Sequence, residues 1–243
     1  MAEFNLIKIK EYDAHGGPSN ESQGGDGHMK TSTRSGVYVI HSIEKHISYG
    51  RYAFWSGLPW GTEMTLKGDV TMVKHRGTWQ KLTGINSEFA KFKNRERELS
   101  QYLKQSYFEL YNKNEFPPSW VFNDFGHISV KYFKDANGNW KMDGKESVMS
   151  DFIHTTPVDE ASTARKLPVT LSESHGCIHV KPHELDIMIG NGYLKKGLRL
   201  EVHNYTEKNI ASTLKRKTGK IPYEVHFYPG KLKIAVYKVE LKN

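Results

Sequence analysis

Residues 4–12 (FNLIKIKEY) alternate apolar and polar side chains, the period-two pattern of a strand with one buried face. Residues 13–29 are rich in Gly, Ser, Asn, Asp and His and predict a long flexible loop. A second strand is expected at residues 37–40, where Gly36 precedes a run of β-branched and aromatic residues. From about Ser87 to Asn112 the period lengthens. Phe89, Phe92, Leu99, Tyr102, Leu103 and Leu110 fall on one helical face with Lys, Arg and Glu opposite, and Pro117 and Pro118 end the region. Two strands are then expected, at 126–133 and 140–142, joined as a hairpin through residues 135–139, because Asn-Gly tolerates the positive φ of such a turn. Asp135, Asn137, Asn139, Asp143 and Glu146 also have the spacing of a calcium loop, but Trp140 stands where that loop needs glycine, so the hairpin is preferred. Residues 194–202 read as a turn and a strand. Beyond them a Lys-rich stretch leads into two alternating runs, 223–227 and 231–239, around Pro229-Gly230. The aromatics of 46–62 (Tyr49, Tyr52, Phe54, Trp55, Trp60) suit either core and turn or a groove wall.

Composition narrows the classes. With 37% hydrophobic and 12% aromatic residues, a chain of 243 residues can bury a sizeable core. A net charge of +8 favours polyanionic partners such as nucleic acid, anionic lipid or an acidic cell wall. Zinc-finger spacing, heptads after a basic region and an aromatic RNA-binding signature are all missing, so no nucleic-acid partner is expected. A basic binding module that is not an enzyme remains an alternative on charge alone. No stretch approaches the ~18 apolar residues of a membrane span. The opening segment MAEFNLIKIKEYDAHGG lacks an apolar leader core, which predicts no export signal of the usual kind.

The single cysteine excludes an intrachain disulfide and raises the question of a nucleophile. Cys177 follows Ser174, His175 and Gly176 and precedes Ile178 and His179. A neighbouring imidazole promotes the thiolate, and a glycine lets backbone amides approach the reacting carbon, where they can hold an oxyanion. Pro182 predicts a short helix start downstream. His175, Cys177, His179 and His183 also offer metal ligands, but their spacing fits neither a structural zinc site nor a helical catalytic one, so no metal and no cofactor are expected. His127 is a candidate for the cleft. His183 is expected at the surface, and His41, His46, His75, His203 and His226 are read as ordinary.

Ile153-His154-Thr155, then Ser174-His175-Gly176-Cys177 and His179, resemble the motif of the L,D-transpeptidase (YkuD-type) catalytic domain family. The run TRSGVYVI and residues 192–202 are similar to its first and last motif strands, so the likeness covers about 30–40 and 125–203. The resemblance implies an α+β, mainly β, L,D-transpeptidase-like β-sandwich. Residues 1–203 would form the catalytic domain, with the loop 13–29 and a helical insertion about 84–118, and 204–243 a C-terminal β-hairpin extension. It implies ping-pong acyl transfer on peptidoglycan stem peptides. Cys177 would attack a donor tetrapeptide, His154 would act as base and then acid, and the Thr155 carbonyl would orient the imidazole. Gly176, Cys177 and His175 would serve the oxyanion, and Ser174, Thr156, His127 and His179 the substrate. An amine acceptor would give a cross-link and water an L,D-carboxypeptidase. Three departures stand out: a long spacing of 23 residues between His154 and Cys177, His179 in place of Asn or Arg with a charge expected to change near pH ~6.5, and no leader. The last suggests a toxin-like effector delivered to a wall outside the cytoplasm, with a secretion-system component or an immunity protein as partner. A cysteine peptidase or amidase of other specificity is the enzymatic alternative.

Overall fold

The first alternating run does become a strand, longer than its pattern predicts. In the computed structural model, which describes residues 2–25, 27–219 and 221–242, the chain opens with β1 (Phe4–His15), β2 (Ser22–Gln23), β3 (Met29–Lys30) and β4 (Gly36–Glu44). There follow β5 (Met64–Lys67), β6 (Val70–His75), β7 (Thr78–Lys81), α1 (Ser87–Ala90) and α2 (Glu96–Tyr111). The motif-bearing part holds β8 (Ser129–Lys134), β9 (Val148–His154), α3 (Pro157–Ala164), β10 (Ile178–Val180) and α4 (Pro182–Gly190). The chain ends with β11 (Arg199–Val202), β12 (Thr213–Arg216), β13 (Tyr223–Tyr228) and β14 (Lys233–Leu241). The protein is therefore α+β and mainly β, built on a large mixed sheet. Positions 26, 220 and 243, which the loop and tail expectations also covered, lie outside the described residues.

The chain divides into two compact units. One comprises residues 1–44, 130–154 and 170–243, the other 45–129 and 155–169. In the first, the sheet runs β10-β9-β8-β4-β11-β13-β14-β1-β12. β1 pairs with β14 along most of its length, from Phe4↔Leu241 to Asp13↔Lys233. Its other edge pairs with β12 through residues 4–7 and with β10 through Ala14 and His15. The β1–β10 pairing joins the β10 end of the strand order to β1, next to the β12 end, and closes a circuit of eight strands with no edge left on β10. β9–β10 and β11–β13 are parallel, which requires crossover connections between them. Residues 225–228 and 234–237 are buried at every position, so β13 and β14 have both faces covered. The tail is a hairpin, as expected, but it lies between β11 and β1 as part of the core. Fully burying each large side chain there contributes roughly 1.5–3 kcal/mol.

The second unit packs the meander β5-β6-β7 and the helices around Leu58, Met64, Val73, Phe89, Leu99 and Trp120. The single helix expected over 87–112 is split in two. Asn86 caps α1 by accepting the Phe89 amide at 3.0 Å, and α2 starts afresh at Glu96. Leu99 and Leu103 are buried as predicted, whereas Tyr102 is exposed. Phe54 and Trp55 pack against that core, and the Trp120 indole N–H donates to the Trp55 carbonyl at 2.8 Å.

The expected hairpin at 126–142 is not formed. β8 lies between β9 and β4, and residues 140–142 are not a strand. Residues 135–147 instead form a loop held by its own side chains. Asp135 accepts the Gly138 amide at 2.9 Å and the Trp140 amide at 3.2 Å, Asn137 the Asn139 amide at 3.0 Å, and Asn139 the Lys141 amide at 2.8 Å. These short polar side chains offer the backbone partners that a ladder would otherwise supply, and the ladder loses. No helix is long and apolar enough to cross a membrane, among the described residues.

Candidate active site

In the first unit, β9 ends at His154 and β10 begins just after Cys177. Their parallel register sets Ile178 beside Ile153 and His179 beside His154. Continuing it back one residue sets Cys177 beside Phe152, whose amide donates to the Cys177 Sγ at 3.4 Å. A two-residue offset between neighbouring strands separates Cα atoms by about 7–8 Å, so the chains carrying Cys177 and His154 run within side-chain reach.

The turn before Cys177 is tightly specified. Gly176 has φ +123, and a Cβ there would lie 2.9 Å from Thr31 Oγ1 and 3.1 Å from Asp151 Oδ1, so the position is open only to glycine. The Ser174 amide donates to the Gly16 carbonyl at 3.0 Å. Its hydroxyl donates to the Cys177 carbonyl at 2.6 Å and accepts the Gly176 amide at 3.0 Å. Thr31 Oγ1 donates to the His175 carbonyl at 2.9 Å. Two expectations change here. Ser174 is buried and staples the turn, which takes its hydroxyl away from substrate. The Gly176 amide is committed to Ser174, which takes it away from an oxyanion. The loop 13–29 is likewise anchored at its start: Gly17 donates to Thr33 Oγ1 at 2.9 Å, and the Tyr205 hydroxyl donates to the Gly17 carbonyl at 2.8 Å.

Cys177 is half-buried. Burial pushes its thiol up to about 12; the Phe152 amide opposes that rise, and the Asp151 carboxylate adds to it. The resting group is a neutral thiol, not the thiolate the sequence suggests. Asp151 is itself raised, by burial, with Arg34 pulling the other way. His154 is buried, and its ring meets that of His179 edge to face at 4.8 Å. His179 Nδ1 lies 2.9 Å from the Ser172 carbonyl, which can only accept, so Nδ1 carries the hydrogen. Burial holds His179 down to about 4, with His15 and His175 acting in the same direction against the Ser172 carbonyl. It is neutral near pH 7, and the charge change expected near 6.5 is displaced downwards. His15 pairs with His179 across the β1–β10 edge, so three adjacent strands carry His154, His179 and His15 at one level.

The remaining candidates lie in the second unit. Thr155 is buried, and its hydroxyl donates to Glu160 Oε1. The same oxygen accepts from the His127 amide at 3.1 Å and lies 2.5 Å from His127 Nδ1. Thr156 caps α3: its hydroxyl accepts the Asp159 amide at 3.2 Å and donates to the Asp159 carboxylate at 2.8 Å. Its expected substrate contact is thus replaced by a helix start. His127 precedes β8 and is not in it.

No family model, no curated protein and no solved structure matches this chain.

Within the first unit the structure gathers Cys177, His154, Ser174, His175, Gly176 and His179. Within the second unit, Thr155, His127 and Glu160 come together. Asp151 and His15 were missed because sheet register brings them to the cysteine turn, and Thr31 because a loop hydrogen bond to the His175 carbonyl does; neither leaves a local trace in the sequence. Glu160 did have a signal, four residues after a Thr-Pro helix start. Chemically, the first group offers a neutral sulfur nucleophile on a rigid turn, a buried imidazole one strand away, and a neutral histidine packed against that imidazole.

Proposed function

We propose that the protein is a cysteine-dependent acyltransferase of the L,D-transpeptidase type, with an L,D-transpeptidase-like sheet, acting on peptidoglycan stem peptides. The observation that supports it most is the parallel β9–β10 register, which brings a Ser-His-Gly-Cys turn alongside the strand that ends in His154. Because the resting thiol is neutral, its proton passes to His154 as sulfur attacks the carbonyl of the donor tetrapeptide. The tetrahedral intermediate collapses to a thioester, and the departing D-Ala amine takes the proton from His154. An acceptor amine, deprotonated by the same imidazole, then displaces Cys177 to give a cross-link, or water gives the free acid. With the Gly176 amide engaged, oxyanion donation in this turn falls to the Cys177 amide. His179 acts as a positioning residue that packs against His154. The site of action is the wall, on its periplasmic or outer side.

Sacculi treated with wild type, Cys177→Ala and His154→Ala, followed by mass spectrometry of the muropeptides, test this reading. Wild type is expected to yield products lacking D-Ala, and each variant to lose roughly 10³-fold or more in rate. Equal activity in Cys177→Ala, or unchanged muropeptides from folded wild type alongside cleavage of ordinary L-peptides, would overturn it.

A further inference from the structure

The sequence reading treats His203 and His226 as ordinary; the structure brings them into contact. β11 and β13 run parallel with Arg199 beside Glu224 and Glu201 beside His226, and His203 follows directly on β11. His203 Nδ1 lies 2.8 Å from Glu207 Oε2, and His226 Nε2 lies 3.4 Å from Glu224 Oε2. Carboxylates only accept, so those two nitrogens carry hydrogens. That leaves His203 Nε2 and His226 Nδ1 facing each other at 2.9 Å. With both of those N–H groups in place the two facing atoms are lone pairs, and a proton or a cation between them joins the rings.

We propose that Glu201, His203 and His226 form a site for a divalent cation of the zinc class. One donor atom from each lies within 4.8 Å of the others. Two nitrogens at 2.0–2.1 Å from a tetrahedral ion stand roughly 3.3 Å apart, so the histidine pair needs to open by only a few tenths of an ångström. Each ring already gives its far N–H to a carboxylate, the outer arrangement of most metal-bound histidines. The His203 ring is further fixed by stacking on Tyr228 at 3.9 Å. Glu224 is fully buried, and its Oε1 has no hydrogen-bond partner. Arg199 and Arg216 pair with Glu201 at 2.8 and 3.2 Å, and Arg216 with Glu224 at 2.8 Å. These two guanidiniums balance Glu201 and Glu224, and Glu207 adds a third carboxylate that pairs with His203. A proton shared by the two histidines would leave Glu201 to its two arginines, whereas a cation would draw it in as a third ligand. A cleft of about 500 Å³, lined by these residues with Leu6, Leu214 and Lys215, gives an ion a way in and leaves its fourth position open.

The test is calorimetric titration of the chelator-treated full chain with zinc chloride, repeated in Cys177→Ala, His226→Asn and Glu201→Gln. Cobalt(II) absorption would report the coordination geometry, and circular dichroism would confirm that each variant is folded. One zinc per chain is expected, retained by Cys177→Ala and weakened about tenfold or more by Glu201→Gln and His226→Asn. No binding by the wild type would assign the gap to a proton and overturn the proposal. So would binding lost with Cys177 or unaffected by Glu201→Gln.

Discussion

At the scale of the residue, the nucleophile could be named from sequence, but its protonation state could not. Cys177 is legible because Ser, His and Gly lie beside it in the chain. The burial that pushes its thiol up to about 12 comes from strands distant in sequence. The acid form is therefore the one favoured in the folded protein, and a thiol with a raised pKa gains thiolate only as pH climbs towards that value. The iodoacetamide alkylation rate of the folded protein should rise from pH 7 to 10 without a plateau. The unfolded chain should level off near the ordinary cysteine value, about 8.5. A plateau below pH 8 in the folded protein would mean that the thiolate is already present at rest. Ser174 and Thr156 show the converse limit. Both have the right chemistry to touch a substrate, yet a turn and a helix start use their hydroxyls first.

At the scale of the element, periodicity located β1, β4, α2 and the terminal hairpin, because each buries one regular face or run. It failed at 135–147, where Asp135, Asn137 and Asn139 satisfy the backbone locally, so an Asn-Gly signal led to an Asx-stitched loop. It also could not say where the terminal hairpin docks. β13 and β14 supply the partners of β11 and β1, so residues 204–243 carry core strands and are no appendage. Truncation after Val202 should leave the first unit without a stable sheet, read as loss of soluble protein and of a cooperative melting transition. A truncated chain that melts cooperatively and keeps its Cys177 reactivity would show the tail to be dispensable.

At the scale of the whole molecule, the α+β, mainly β class was legible from strand-period runs around one helical stretch. The closure of the sheet through β1 and β10 was not, because it rests on residues 14–15 meeting 179–180 across the chain. That closure buries His179 and sets a pH dependence. Its value in the folded protein, about 4, lies below the ordinary 6.5, so unfolding takes up a proton between the two. The associated stability is complete above 6.5 and is lost as pH falls from 6.5 to 4, amounting to about 3 kcal/mol. His179→Asn, which keeps a donor for the Ser172 carbonyl, should flatten the dependence of the denaturation midpoint across that window. Identical slopes in both proteins would contradict the assignment. The central claim is that Cys177 carries an acyl group during turnover, and intact-protein mass spectrometry of wild type quenched during reaction with a tetrapeptide donor tests it most directly. The account predicts a mass increase equal to the tripeptidyl acyl group, located on Cys177 and missing from Cys177→Ala. Steady release of D-Ala with no adduct on Cys177, or the same adduct in Cys177→Ala, would contradict it.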